Sequence, residues 1–165
     1  MERKSFSDMD CSVAQCLEVV GEWWSMLIVR DAFFGVTRFD DFQRSLGISR
    51  NVLRQRLEHL VAAGILKKVP YSEHPPRSEY RLTDKGRDLW SVLTAMRQWG
   101  DRYASPNGKR IELVHKGCGA TTDVAYVCES CGELVTARDV LAVDGPGRPP
   151  RGTHRVAARV AGPSA

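Results

Sequence analysis

The chain has 165 residues, 24 Lys plus Arg against 20 Asp plus Glu, and a formal net charge of +4. That length suffices for one compact domain with an appendage, and no apolar run approaches the roughly 20 residues of a bilayer span. The opening Met1-Glu2-Arg3-Lys4-Ser5-Phe6 lacks the apolar stretch of a secretory leader, so a soluble cytoplasmic protein with no membrane partner is expected.

A first helix is predicted over Cys11–Val20, where Val13, Leu17 and Val20 share a face before Gly21. A second runs from Glu22 to Phe34, with Trp24, Leu27 and Ile28 together and Gly35 closing it. Thr37 and Asp40 have the spacing of a capping box for a third helix carrying Phe42 and Leu46. Gly47-Ile48 makes a tight turn, Ser49 caps a fourth helix, and Leu53, Leu57 and Leu60 recur at helical spacing until Gly64. Ile65–Tyr71 and Ser78–Leu82 read as two strands of a hairpin, and the prolines between them read as an irregular loop tipped by Arg77. Thr83 then caps a long helix with an apolar stripe of Leu89, Leu93, Met96, Trp99 and Tyr103, broken by Ser105-Pro106-Asn107-Gly108.

Beyond Gly108 the composition changes to glycines, short strand-forming runs and clustered cysteines, which predicts a second small unit over residues 109–143. Residues 144–165, rich in Gly, Pro, Ala and Arg, offer little apolar surface to offset the entropy of ordering and are expected to be disordered. No internal repeat is evident. The fold class expected is mainly α with a small β wing, a winged helix-turn-helix over residues 8–108, followed by a small β-rich cysteine module.

Helix, short turn, helix and hairpin is the order in which the second helix enters a DNA major groove. Between Arg38 and Lys68 there are seven basic residues and three acidic ones, a local excess that equals the net charge of the whole chain. With Leu53, Leu57 and Leu60 turned inward, the outer face presents Ser49, Arg50, Asn51, Arg54 and Gln55. Arg pairs with guanine edges, Asn and Gln pair with adenine edges, and a Ser-capped helix start attracts phosphate. Arg77 at the hairpin tip, with Lys67 and Lys68 at its base, is expected along the phosphates or in the minor groove, a contact that positions without reading sequence, and Arg38 completes the set expected to meet double-stranded DNA. Arg56 is left out because an internal ion pair would account for it equally well.

Cys11-Ser12-Val13-Ala14, Gly21-Glu22-Trp23-Trp24, Leu27-Ile28-Val29-Arg30-Asp31, Arg38-Phe39, Gly47-Ile48-Ser49-Arg50-Asn51-Val52-Leu53, Gln55-Arg56-Leu57, Pro75-Pro76-Arg77-Ser78-Glu79-Tyr80, Leu82-Thr83 and Trp99-Gly100 together resemble the signature of the HxlR family of bacterial transcriptional regulators. The resemblance runs from about Cys11 to Tyr103. It implies a homodimer held by the first and last helices and an inverted-repeat operator. The chain is expected to be a repressor that answers a small-molecule effector or a thiol-reactive signal, with no enzymatic activity. Cys11 stands where many such relatives carry a cysteine, some of them sensors, and a thiol at a helix N-terminus gains thiolate character. The competing reading, a small buried residue, is the commoner one for cysteine, and Cys16 is read as structural.

His115-x2-Cys118-x9-Cys128-x2-Cys131 is the densest donor cluster in the chain. Two close pairs of donors on separate turns suit one structural zinc ion. A disulfide between two of Cys118, Cys128 and Cys131, or reduced thiols in a plain hairpin, stand beside it as alternatives. A deaminase is excluded because Lys116-Gly117 follows His115 where His-x-Glu is needed, and a thioredoxin-type site because Gly132 follows Cys131 where a helix should run on. A second reading of the whole chain is a winged-helix interaction module that docks a partner through this tail.

Overall fold

The computed structural model describes residues 5–147. It divides into a first unit ending at Ile111 and a second beginning at Glu112. The first contains α1 (Ser12–Val20), α2 (Ser25–Phe33), α3 (Phe39–Leu46), α4 (Arg50–Ala62), β1 (Leu66–Glu73), β2 (Pro76–Leu82) and α5 (Asp84–Tyr103); the second contains β3 (Leu113–Val114) and β4 (Thr121–Thr122). The expectation of disorder over residues 144–165 lies mainly outside the described residues.

One apolar cluster holds the first unit. Ile28 and Val29 of α2, Phe42 of α3 and Leu53, Leu57 and Leu60 of α4 are fully buried, joined by Ile48, Ile65 and Leu66. Each such side chain removed from water contributes about 1.5–3 kcal/mol before entropy is counted. The three leucines of α4 lie on one side of its 13 residues, so the other side is free for polar groups, as the 3.6-residue period requires.

The α3–α4 turn is short because Gly47 takes the left-handed conformation, φ 66°, that few other residues enter at low cost. Ser49 then caps α4, its Oγ accepting the Val52 N–H at 3.3 Å. The expected Thr37 cap on α3 does not form: Arg38 is the N-cap residue, without a side-chain cap bond. The Thr37 carbonyl instead accepts the Tyr80 N–H at 2.7 Å, so tertiary pairing with the wing draws this segment away from a local capping arrangement.

The hairpin is longer than the prolines suggested. β1 and β2 pair antiparallel from Leu66↔Leu82 to Glu73↔Pro76, with a bulge between Pro70 and Ser72, which leaves only His74-Pro75 as the turn. In a two-stranded ribbon both strands are edges, and a proline whose missing N–H would face outward interrupts no ladder bond. At its other end, the Thr83 hydroxyl donates to Gly64 O at 2.6 Å and accepts the Gly86 N–H at 3.1 Å, so a single side chain caps α5 and locks it onto the exit of α4.

The predicted apolar stripe of α5 is split by the packing. Leu89 rests on the core, whereas Met96, Trp99 and Tyr103 are exposed.

Candidate nucleic-acid interface

Asn51, Arg54 and Gln55 are all exposed on α4, opposite the fully buried Leu53 and Leu57. The helix core therefore fixes their direction: rotating α4 to hide them would bring three leucines into water.

Arg50, the first residue of α4, is exposed but tethered. Its Nη1 donates to Asp40 Oδ1 at 2.8 Å and Gln43 Oε1 at 3.0 Å, and its guanidinium sits 4.8 Å from the Phe39 ring centroid. This clasp joins the two helices of the motif and places the cation beside the start of α4. Gln43 was not among the predicted site residues; its position one turn ahead of Gly47 carried no separate signal.

Arg38 is held in a similar way at the wing. Its Nε lies 3.6 Å from Glu79 Oε1, and its guanidinium is 4.8 Å from the centroid of exposed Tyr71. Arg81 Nη2 donates to the other Glu79 oxygen at 2.8 Å. The hydrogen bond from Arg81, with the nearby charge of Arg38, holds the Glu79 carboxyl below the usual glutamate range against a smaller opposing effect of burial. Tyr71 is the second residue that sequence reading passed over, because the segment around it was read as ending the strand there.

Lys67 and Lys68 project from β1 and Arg77 from β2, all exposed. Lys68 Nζ stands 5.8 Å from the Tyr80 ring centroid. Tyr80 is half-buried at the hairpin base, and burial, with the charge of Glu58, pushes its hydroxyl pKa up while Arg54 opposes the shift. Arg54 thus lies within electrostatic reach of the wing. Arg56, left out of the set, pairs with Glu22 at 2.8 Å.

Cys11 is the N-cap residue of α1 with an extended backbone, φ −151°, and its side chain makes no cap bond. It is exposed. The reading of Cys11 as a small buried residue does not hold in the protomer, where its side chain is exposed at the start of α1. Cys16 is half-buried.

In the second unit His115 Nδ1 and Cys118 Sγ approach to 3.3 Å. The Cys128 thiol pKa is drawn below its ordinary value by hydrogen bonds from the Cys131 and Ser130 backbone N–H groups. Among the described residues no three His, Cys, Asp or Glu side chains converge as a metal-holding group, and the five cysteines are free.

A core of α2, α3 and α4 with a tight α3–α4 turn, an outward polar face on α4 and an adjoining basic hairpin defines a winged helix-turn-helix DNA-binding protein. Residues 19–108 match the model of the HxlR-like helix-turn-helix family, and the chain belongs to that family. An uncharacterized HTH-type transcriptional regulator of Mycobacterium tuberculosis strain H37Rv is 50% identical over 137 residues, covering 82% of this chain and 87% of that protein. The crystal structure of PA1607, whose name proposes a transcription factor, is 42% identical with a TM-score of 0.75, covering 86% of this chain and all of that one. The redox regulator HypR in its oxidized form is 32% identical with a TM-score of 0.53, covering 58% of this chain and 99% of its own. The chain is accordingly a DNA-binding transcriptional regulator. Among the described residues no helix is long and apolar enough to cross a membrane.

Proposed function

We propose that the chain works as a homodimeric repressor on an inverted-repeat operator, with an affinity adjusted by a small ligand or by thiol chemistry. The observation that carries the reading is the exposed face of α4, where Asn51, Arg54 and Gln55 stand outward on a helix whose opposite side is pinned in the core. Arg54 and the amides read base edges; Lys67, Lys68 and Arg77 hold phosphates; Ser49 presents the helix start. No catalytic step enters this scheme.

Dimerisation is supported by apolar surface that a monomer leaves in water. Val13 is 68% exposed on α1, and Met96, Trp99 and Tyr103 are 54%, 64% and 65% exposed on α5. Aromatic residues clustered in this way are typical anchors of a buried interface. A thiol-reactive signal is supported by the exposed Cys11 and by the likeness to HypR, a redox regulator by name.

The test is fluorescence anisotropy with a palindromic fragment from the chain's own promoter region, run beside sedimentation analysis. Binding as a dimer is expected, with affinity falling roughly a thousandfold or more as salt rises from about 50 to about 200 mM. Salt-insensitive binding, or a chain that stays monomeric on the fragment, would reject the scheme and favour a module that docks another protein.

A further inference from the structure

The second unit contains a repeat that becomes clear only in its backbone. In the first copy the His115 N–H donates to Ala120 O at 2.9 Å and the Gly119 N–H donates to His115 O at 2.8 Å. In the second copy the Cys128 N–H donates to Glu133 O at 2.8 Å and the Gly132 N–H donates to Cys128 O at 2.8 Å. Gly119 and Gly132 have φ values of 72° and 76°. Each turn is flanked by an antiparallel pair at matching positions, Val114↔Thr121 and Val127↔Leu134. These two bonds and the flanking pair therefore recur at a constant offset, and the donor pairs His115/Cys118 and Cys128/Cys131 occupy equivalent places.

A second observation concerns what holds this unit together. Of its described residues none is buried, and only Leu113, Val124, Cys128 and Val135 are even half-buried. A unit of this size without a hydrophobic core needs a cross-link, either a disulfide or a metal ion. The described cysteines are all free thiols.

We propose that the two turns are matching knuckles of a zinc-binding ribbon, with His115, Cys118, Cys128 and Cys131 closing on one zinc ion. The 3.3 Å between His115 Nδ1 and Cys118 Sγ is close to the roughly 3.5 Å edge of a tetrahedron with zinc–nitrogen and zinc–sulfur bonds of about 2.0 and 2.3 Å. Three thiolates and an imidazole are a donor set that zinc favours over the harder divalent cations. Because the two pairs do not already form one group, binding brings one knuckle onto the other, which couples metal uptake to ordering of the unit. Uptake releases the protons of the thiols that become ligands.

The experiment uses the full reduced chain, reconstituted with zinc chloride, desalted and assayed for metal, with cobalt(II) as a spectroscopic probe. One zinc per chain and the intense visible bands of tetrahedral cobalt are expected. Cys131→Ser and His115→Ala should lose the ion, while His115→Cys and Cys16→Ser should keep it. Zinc should also protect the second unit of the wild-type chain from limited proteolysis. A metal-free wild type after reconstitution, equal metal in Cys131→Ser and wild type, or a Cys128–Cys131 disulfide that persists under reductant would overturn the assignment.

Discussion

Two glycines of α5 should respond in opposite directions to the same substitution. Replacing a helical glycine with alanine ordinarily stabilises a protein by about 1 kcal/mol, through the freedom lost from the unfolded chain. Gly100 has nothing within 4 Å of the position a Cβ would take, so Gly100→Ala should show that gain in the protomer. Gly86 is buried against the corner between α4 and β1, and a Cβ there would stand 2.2 Å from Ile65 O and 3.0 Å from Leu82 Cδ2. The obstacle is backbone, the same carbonyl that accepts the Thr83 N–H at 3.1 Å, and no rotamer change relieves it. Overpacking of this sort costs about 1–3 kcal/mol, and the disturbed Thr83 contact adds about 1 kcal/mol. Against a propensity gain of about 1 kcal/mol, the net loss for Gly86→Ala is about 2 kcal/mol. For a unit of this size that corresponds to a Tm lower by roughly 10 °C. Urea and thermal denaturation at one fixed protein concentration measure both variants, the concentration mattering because a dimer's stability depends on it. A Gly86→Ala variant as stable as the wild type would show that α5 does not seat its first turn where described.

Two further outcomes follow from the interface. Arg54→Ala should reduce the preference for operator over random DNA by about 1–3 kcal/mol in competition anisotropy, because a bidentate base contact carries that much discrimination; equal losses on both DNAs would assign Arg54 to the phosphates. Glu79 has its folded-state pKa depressed by Arg81 and Arg38, so its contribution to stability is present above the unfolded value and is lost as pH falls through the folded one. Glu79→Gln should therefore flatten the acid limb of the stability profile, and an unchanged limb would show that the Arg38–Glu79–Arg81 cluster contributes nothing.

Wherever one local force dominates, the fold was legible in the sequence. Leu53, Leu57 and Leu60 specified α4 because their burial outweighs everything else on that helix, and the Ser49 and Thr83 caps were readable because each bond is made within three residues. The Thr37 cap was misread because a wing residue some 40 positions away claims its carbonyl. The hairpin was read short because proline is a ladder breaker only where its N–H would point at a neighbour, a distinction that needs the register. Arg38, Arg50, Asn51, Arg54 and Gln55 are candidates by residue type alone, but that Arg50 and Arg38 are clasped by Asp40 and Glu79 depends on contacts between elements. The twin knuckles share only a short Cys-Gly pattern, too little for sequence comparison yet obvious once the backbone bonds are laid side by side.

The hairpin is fastened at both ends of its base: Tyr80 to the loop before α3, and Thr83 to the exit of α4. The wing is therefore braced against the helix-turn-helix at its base, while the ribbon from Val69↔Glu79 out to the His74-Pro75 turn lies beyond both fastenings. If the chain works as the dimer proposed above, the separation of its two reading heads, rather than the base of either wing, is what a signal is left to change.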